Sequence, residues 1–485
     1  MPFIQLPNEP TVQLYYEFYE PFDPKKPTAL FLPPAISCSA LIIQYVLPRL
    51  PEITRQFNCL ALDLRCHGRS KNEPRKGMDC FVFAADIAFV LNALHIPSVH
   101  LVANSYVAGP TAFVFSLLFP SSVLSLSILG ASPLNSMPSQ LSALMELLEG
   151  WLQGEDEEWL FDSMTAILDL SFSGSSKDYR DEELELLDWL SNMWFRRIGP
   201  HRALRTFGVT APILLSPGIT KEELATIKCP VLIVQGTEDM MRGIPFAEEI
   251  RDGLTGTRDV SLEIVEGGVC YVGIANLEEV RPLLTNFLES HISLTSGATS
   301  ISFPSPPAAA TTSMETSADT LTSFAYSRYD YEEPLCQQLW ELCNQLDGKC
   351  LVTFADREPE VGEEGGNLSE VGKCRWRFSQ RHRNERATSS RRGSVPQIKH
   401  DEATTVVTFE EVPLPLPPLD PDLIKLLDTT PTDNVRGFES WTGFRSSRRE
   451  EDNNREKPTT GTAQFRMDTW QWESTAPHPL TTSSH

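Results

Sequence analysis

Hydrophobic and polar positions over the first 292 residues follow two alternating patterns. Short, continuous apolar runs are typical of parallel strands that are buried on both faces. Between these runs, apolar residues recur every three or four positions, which predicts amphipathic helices. The pattern therefore predicts an α/β fold, a mostly parallel, doubly wound sheet. Its strands are predicted at 29–32, 59–62, 99–103, 124–129, 231–235 and 260–265, preceded by an antiparallel strand over 12–18.

The strand pattern stops between Ser132 and Ile227. Leucine and tryptophan residues there form helical stripes, for example Leu184, Leu187, Leu190 and Trp194. Acidic clusters such as 181–185 coincide with predicted helix starts, where carboxylates favour the helix dipole and usually form a solvated face. We therefore expect a helical cap over about 133–227, inserted into an α/β domain over 1–292.

The composition changes after Ile292. Residues 293–330 are rich in Ser, Thr and Pro and predict a linker, because they offer little apolar surface to offset chain entropy. Residues 331–425 contain one amphipathic stretch after Pro334 and some β-prone runs, which predict a marginal mini-domain or a docking segment for an unknown protein partner. Residues 426–485 are expected to form a disordered tail, so that the C-terminal region is largely disordered.

Charge and cysteine content narrow the function classes. The chain of 485 residues carries 41 basic and 65 acidic side chains, a net charge of −24. Such acidity argues against nucleic acid or an anionic membrane as a partner. The ten cysteines show no paired metal-ligand or redox spacing, and we expect no metal and no cofactor. The N-terminus lacks a signal-peptide pattern, which predicts a cytoplasmic protein.

A long uncharged stretch needs its own interpretation. Residues 111–131 are apolar enough to suggest a membrane span. Pro120 and the two serines after it divide the stretch into a helical piece and a strand-like piece. We therefore predict part of a buried α/β core and no membrane span.

Ser105 lies where a predicted strand meets a predicted apolar helix. The flanking pattern, Ala103-Asn104-Ser105-Tyr106-Val107, resembles the nucleophile elbow of the α/β-hydrolase family, in which a sharp turn exposes the serine hydroxyl. Residues 63–70 resemble that family's turn after an earlier strand, and 236–239 resemble the segment that carries the acid. The resemblance spans about 11–291, and the cap falls at the family's cap position. It implies an esterase- or lipase-like fold with Ser105 as nucleophile and Asp239 as acid.

The resemblance fails at the general base. The family has histidine after a Gly-Gly pair, whereas here Gly267 and Gly268 lead to Cys270. A thiol has an ordinary pKa of about 8.5 and is mostly protonated at pH 7, and it has no second nitrogen for an acid to orient. His67, which follows a strand, is the best alternative base. His100 lies at the wrong end of its strand, and the other histidines look structural.

The oxyanion hole and the elbow also depart from the family pattern. One donor of the hole would be the N–H of Tyr106, and the second would come from Ala35 or Ile36, because Pro33 and Pro34 have no N–H. The valine at position 107, where the family has glycine, should crowd the turn.

Two functions remain open on this sequence. The first is a serine hydrolase that acts on a small apolar, ester-like substrate through Ser105, with activity in doubt because the base position holds Cys270. The second is a catalytically degenerate homologue, a pseudoenzyme that binds a ligand or partner in the same pocket.

Overall fold

The structure is a computed structural model. It describes residues 2–132, 163–164, 166–168, 171–172, 181–198, 202–214, 218–239, 242–294, 296–297, 299–305, 322–328, 337, 340–341 and 343–345. Residues 133–162 of the predicted cap lie outside these residues, as do the predicted β-prone runs and tail after residue 345.

Within the described ranges, eight strands form one sheet; numbered β1 to β8 along the chain, they lie in the order β1-β2-β4-β3-β5-β6-β7-β8. The first two strands are antiparallel to their neighbours, and all later strands run parallel. The predicted mostly parallel sheet is therefore confirmed. The bounds are β1 Phe3–Gln5, β2 Gln13–Phe18, β3 Thr28–Leu32, β4 Asn58–Leu62, β5 Val99–Asn104, β6 Val123–Leu129, β7 Val231–Gly236 and β8 Val260–Val265.

Helices connect the parallel strands. The helices α2 and α3 pack against each other, and α1 packs against α9. Every residue of β3, β4, β5 and β7 is buried, as expected for strands covered on both faces. The bounds are α1 Pro51–Gln56, α2 Cys80–Ala93, α3 Ser105–Leu118, α4 Asp181–Ile198, α5 Ala203–Leu214, α6 Lys221–Leu224, α7 Ile244–Gly253, α8 Val272–Ala275 and α9 Leu277–Ser290. Short turns occupy Ser39–Leu41, Ile42–Val46, Leu47–Arg49, Pro120–Ser122 and Ser323–Tyr326.

Two features differ from the expected strand pattern. The strand β1 is only three residues long, and its sequence is too short to show alternation. The strand β8 was expected to be fully buried but lies at the edge of the sheet, where Ile264 is 42% exposed. An edge strand has no neighbour on one side, so an apolar run there stays partly in solvent.

The apolar stretch 111–131 belongs to the buried α/β core, as predicted. It contains most of α3, the turn at Pro120–Ser122 and all of β6. None of the described helices has the length and hydrophobicity that a membrane crossing requires.

Most of the described residues between Ser132 and Ile227 are helical, namely 163–164, 166–168, 171–172, α4, α5 and α6. The helix α4 begins at Asp181 and buries Leu184, Leu187, Leu190 and Trp194, the stripe predicted from the sequence. Thr220 caps α6 through a reciprocal pair of bonds with Glu223. These observations agree with a helical insertion.

Part of the segment predicted as a linker packs against the domain. Phe303 stacks on Phe89 of α2 with ring centroids 4.6 Å apart. Tyr326 is fully buried and donates its hydroxyl to the carbonyl oxygen of Pro304. Although residues 293–330 have a low average hydrophobicity, the aromatic residues Phe303 and Tyr326 pack beside α2 and α3.

Close backbone contact between two loops sets the geometry at the carboxyl end of β7. A Cβ atom added to Gly236 would overlap the backbone carbonyl of Gly268. The Glu238 N–H also donates to that carbonyl at 2.8 Å. The absence of a side chain at Gly236 therefore brings the loop of Asp239 against the loop of Cys270.

We predict that Gly236→Ala lowers the free energy of unfolding by about 1–3 kcal/mol, because the added methyl forces the two loops apart. Urea denaturation measures this change. Gly297→Ala is the control, since nothing lies within 4 Å of a Cβ there, and it should change stability by less than about 0.5 kcal/mol. Equal effects of the two substitutions would contradict the close approach.

Candidate functional site

Ser105 lies between the end of β5 and the body of α3. Its backbone φ is +55°, in the left-handed region that non-glycine residues seldom adopt. The residue is fully buried. Its Oγ accepts a hydrogen bond from Nη2 of Arg242 at 2.8 Å and lies 3.9 Å from Sγ of Cys270.

The residues after Ser105 continue the strained turn. Val107 has φ 60° and ψ −50°, values close to a rare γ-turn conformation that is costly for a β-branched residue. This agrees with the crowding expected from valine at that position. The Tyr106 carbonyl oxygen accepts the N–H of Ala35 at 3.0 Å. The Ala35 N–H, expected as an oxyanion donor, is therefore engaged by the backbone of Tyr106.

Asp239 follows β7, as the sequence pattern predicts, but it does not bond to Cys270 among the described contacts. Its Oδ1 accepts the backbone N–H of Arg242 at 3.0 Å, and its Oδ2 accepts Nε2 of Gln235 at 3.1 Å. The same Oδ2 lies 3.4 Å from Nη2 of Arg242. The carboxylate is thus oriented by an amide and a guanidinium.

Cys270 lies beside Ser105 and is almost completely buried. Burial raises the pKa of its thiol to about 12, although the guanidinium of Arg242, 2.6 Å from the sulfur, favours the thiolate. The Asp239 carboxylate already balances that cation, so a thiolate would leave an excess negative charge in the core. The neutral thiol cannot accept a proton from Ser105 at pH 7.

Arg242 is the residue at this centre that sequence reasoning missed. It is fully buried, donates from Nη1 to Oγ of Ser132 at 3.1 Å, and places its guanidinium 4.0 Å from the centroid of the Tyr106 ring. Burial alone would favour the neutral form, but Asp239 reverses this and the pKa of Arg242 is raised. Its only signal in the sequence is its position three residues after Asp239.

A guanidinium has donors and no acceptor, so Arg242 cannot act as a general base. Its Nη2 points at both Ser105 and Cys270, and it therefore occupies the space between the nucleophile position and the base position. The Nε atom of Arg242 is buried and has no hydrogen-bond partner in the part of the chain that the structure describes. The result is a closed polar cluster, which we define as Ser105, Ser132, Asp239, Arg242 and Cys270.

None of the described histidines bonds to Ser105. His67 is buried, and its Nδ1 pairs with the carbonyl oxygen of Arg65 at 2.7 Å. His100 pairs with Ser125 at the amino end of β5, the wrong end for the site, as expected. His291 contacts Asp259 and Phe287, and His201 lies outside the described residues. The sequence alone had allowed His67 as an alternative general base, but the described contacts of its ring include none with Ser105.

The cap approaches the site through Tyr271, the residue after Cys270. Its N–H donates to the carbonyl oxygen of Ser171 at 3.0 Å, and its ring meets Phe172 edge to face at 5.1 Å. Its hydroxyl donates to the carbonyl oxygen of Ala35 at 3.1 Å. Tyr271 thus ties the cap and the loop after β3 to the loop of Cys270.

A metal site was not expected from the sequence. Among the described residues, no three His, Cys, Asp or Glu side chains converge as metal ligands would. Of the five residues singled out from the sequence, Ser105 and Cys270 are neighbours, Tyr106 and Ala35 are neighbours, and Asp239 reaches the first pair through Arg242.

Comparisons with known proteins concern the domain rather than the tail. Residues 34–247 match the sequence profile of the α/β hydrolase fold. No curated protein sequence matches the chain significantly.

Similar solved structures include the esterase EaEST from Exiguobacterium antarcticum, at 21% identity and a TM-score of 0.48, covering 59% of this chain and 98% of that one. The enol-lactonase from Burkholderia xenovorans LB400 is 16% identical with a TM-score of 0.47, covering 59% and 100%. The esterase RhEst1 from Rhodococcus sp. ECU1013 is 15% identical with a TM-score of 0.46, covering 61% and 100%.

We predict that Arg242→Met lowers the free energy of unfolding by about 3–5 kcal/mol, because it leaves the buried Asp239 carboxylate without its cation. Methionine retains much of the volume, so the loss reports charge more than cavity. Arg281→Met is the control, since Arg281 pairs with Glu278 at the surface, and should cost less than about 1 kcal/mol. Denaturant unfolding measures both; a small loss for Arg242→Met would contradict the buried pair.

Burial lowers the pKa of His67 to about 4, although the bond to the Arg65 carbonyl opposes this shift. Between pH 6.5 and pH 4 the unfolded chain therefore binds a proton that the folded chain excludes, and His67 makes stability fall as pH falls. We predict that the free energy of unfolding of wild type, minus that of His67→Gln, becomes smaller as the pH falls from 6.5 to 4, by up to about 1.4 kcal/mol per pH unit.

The difference is needed because His100, with a pKa lowered to about 4, and Asp79, with a pKa raised to about 6, titrate in the same range. Urea titrations at pH 4.5, 5.5 and 6.5 measure it. His95→Gln is the control for removing an exposed histidine. A difference that does not vary with pH would mean that His67 is accessible to protons in the folded chain, as a general base must be.

Proposed function

Because residues 34–247 give this chain an α/β-hydrolase-fold domain, we propose that it is a catalytically degenerate member of that fold, which binds a ligand or partner instead of hydrolysing esters. One observation carries the proposal. Nη2 of Arg242 donates to Oγ of Ser105 from the space between Ser105 and Cys270. The serine therefore faces a permanent proton donor where a hydrolase needs a proton acceptor.

The protonation states support this reading. Attack by a serine requires that a neighbouring base remove its proton, and the buried Cys270 thiol stays protonated up to a pKa of about 12. Both carboxylate oxygens of Asp239 accept hydrogen bonds, one from Arg242 and one from Gln235. The polar cluster is charge-balanced and internally bonded, which is the arrangement of a structural core rather than of a reactive centre.

The backbone supports it as well. The positive φ of Ser105 retains the turn of a nucleophile elbow, and Val107 adds strain that a glycine would avoid. The expected second oxyanion donor, Ala35, is bonded to Tyr106. The chain thus keeps the strained turn of the elbow, but the second donor of the oxyanion hole is engaged elsewhere. We infer that the fold is retained without the groups that catalysis needs.

A ligand for such a protein would be small, neutral and largely apolar. Aromatic side chains of the cap, Phe172 and Trp194, are buried, and the indole Nε1 of Trp194 has no hydrogen-bond partner among the described residues. The excess of acidic residues in the cap sequence also disfavours an anionic ligand.

The second candidate is the serine hydrolase, with Ser105 as nucleophile, Asp239 as acid, and Tyr106 and Ala35 at the oxyanion hole. The observation that favours it is the same Arg242 contact, since a guanidinium 2.8 Å from Oγ would stabilise a serine alkoxide or a nearby oxyanion. It ranks second because no described group takes the proton and Ser105 is fully buried.

We predict that a fluorophosphonate probe labels wild type no more than it labels Ser105→Ala, and that both hydrolyse p-nitrophenyl butyrate at the same rate. Gel fluorescence and absorbance measure these outcomes. Labelling of wild type that Ser105→Ala abolishes would establish the hydrolase instead.

Restoring a base tests the cause. Cys270→His alone should stay inactive, because Arg242 still occupies the space beside Ser105. The double variant Arg242→Ala with Cys270→His opens that space and gives Asp239 an imidazole to orient, and it should show ester hydrolysis that a third change, Ser105→Ala, removes. Activity of Cys270→His equal to that of the double variant would show that Arg242 is not the block.

A further inference from the structure

Residues 322–328, which we call the docked segment, lie against α2 although they come about thirty residues after the α/β domain ends. Its regular structure is a single turn over Ser323–Tyr326. Ser323 and Tyr326 are fully buried. Apart from Pro304, which accepts the Tyr326 hydroxyl, the residues that bind the segment lie between Glu9 and Glu223. Most of the surface that the segment covers is therefore formed by the α/β domain.

The first half of the segment completes a buried ionic group. Arg65 binds Glu9 with bonds of 2.8 and 2.9 Å and Asp86 with bonds of 2.6 and 2.8 Å. All three side chains are buried, and two carboxylates on one guanidinium leave an excess negative charge. Ser323 donates its N–H to Glu9 at 3.2 Å and its hydroxyl to Asp86 at 2.5 Å. The segment thus supplies two further donors that these carboxylates need.

The second half binds the start of α2. Oδ1 of Asp79 caps the helix by accepting the Val82 N–H at 2.9 Å. Oδ2 of Asp79 accepts the backbone N–H of Arg328 at 2.7 Å, and the Ser327 hydroxyl donates to the carbonyl oxygen of Gly77 at 2.7 Å. One carboxylate therefore serves the helix and the segment together.

Side chains make the recognition specific. The Phe324 ring lies between two guanidinium groups, 4.3 Å from that of Arg75 and 5.1 Å from that of Arg65. Arg328 stacks on Phe81 at 4.1 Å and donates to Glu223 of α6 at 2.7 Å. The domain thus recognises serine, phenylalanine and arginine side chains of the segment, and the segment joins α2 to α6, the last helix before β7.

The segment has the character of a bound peptide rather than of a sheet element. It pairs with none of the described strands, and its contacts with the described residues include hydrogen bonds to side chains, ring contacts and the ion pair between Arg328 and Glu223. We propose that the surface formed by Glu9, Arg65, Asp79, Asp86 and Glu223 is a peptide-binding groove whose occupant is this chain's own Ser-Phe-Ala-Tyr-Ser-Arg sequence. The segment leaves the groove without unfolding of the sheet, and the vacated groove binds the same peptide from solution.

Hydrogen exchange of the full wild-type chain tests the first part. The amides of Ser323 and Arg328, which donate to buried carboxylates, should exchange at least ~100-fold more slowly than unstructured amides and at least ~100-fold faster than those of β5. Unprotected exchange would mean that the segment does not dock. Exchange as slow as that of β5 would mean that it leaves only with global unfolding. Either result overturns the proposal.

A charge change tests the groove. Ser323→Asp places a third carboxylate against Glu9 and Asp86, and it should abolish protection of Arg328 while leaving β5 and β6 protected. Ser300→Asp, an exposed position in the same tail, is the matched control and should change neither. If Ser323→Asp retained the protection of Arg328, recognition at Ser323 would be refuted. If it unfolded the whole chain, detachment without loss of the sheet would be refuted.

Binding from solution completes the test. A fluorescein-labelled peptide with the sequence of residues 320–330 should bind saturably to the Ser323→Asp chain, as measured by anisotropy. It should bind wild type at least ten times more weakly, because the groove is occupied. The same peptide carrying the Ser323→Asp change should not bind. Failure of the unmodified peptide to bind the Ser323→Asp chain would contradict the groove.

Discussion

The buried ion pair between Arg242 and Asp239 is the interaction on which the centre of this protein depends. A guanidinium removed from water must find acceptors for its donors, and the surrounding residues are arranged to provide them: Asp239, the hydroxyls of Ser105 and Ser132, the Cys270 sulfur and the Tyr106 ring. Each of these partners is bound to Arg242, whereas a hydrolytic centre would need Ser105 and Asp239 to contact a general base. The chemistry of the site follows from this pairing.

The scaffold around the pair is that of an α/β-hydrolase fold, and it brings the relevant loops together independently of the chemistry. The carboxyl ends of β5 and β7 place Ser105 and Asp239 on one edge of the sheet. The contact between Gly236 and Gly268 draws the loop of Cys270 to the same point. A reactive centre on the same scaffold would need a histidine in place of the Cys270 thiol and a free space where Nη2 of Arg242 now contacts Ser105, so two residues distinguish it from the structural cluster that we propose.

A second buried ionic group shows the same rule at a distance from the first. Glu9, Arg65 and Asp86 form a group with one charge too many, and the donors that complete it come from Ser323 in the tail. In both places a buried charge must be satisfied by hydrogen-bond donors or acceptors, and residues distant in the sequence provide them. This explains why residues 322–328 pack against the domain although they lie in a tail of low hydrophobicity: a few polar atoms and two aromatic rings meet specific requirements of the domain.

Much of the fold could be predicted from periodicity. The continuous apolar run 99–103 is a buried strand, and the apolar residues that recur every three or four positions in α4 are buried on one face of that helix. The positions of Ser105, Asp239 and Cys270 after their strands also followed from local pattern. What the sequence could not reveal was Arg242, since an arginine three residues after an acid usually lies at the surface, and only the three-dimensional approach of the loops removes it from water. The sequence determined which groups are present, while the tertiary structure decided which atoms face one another, and proton transfer depends on the second.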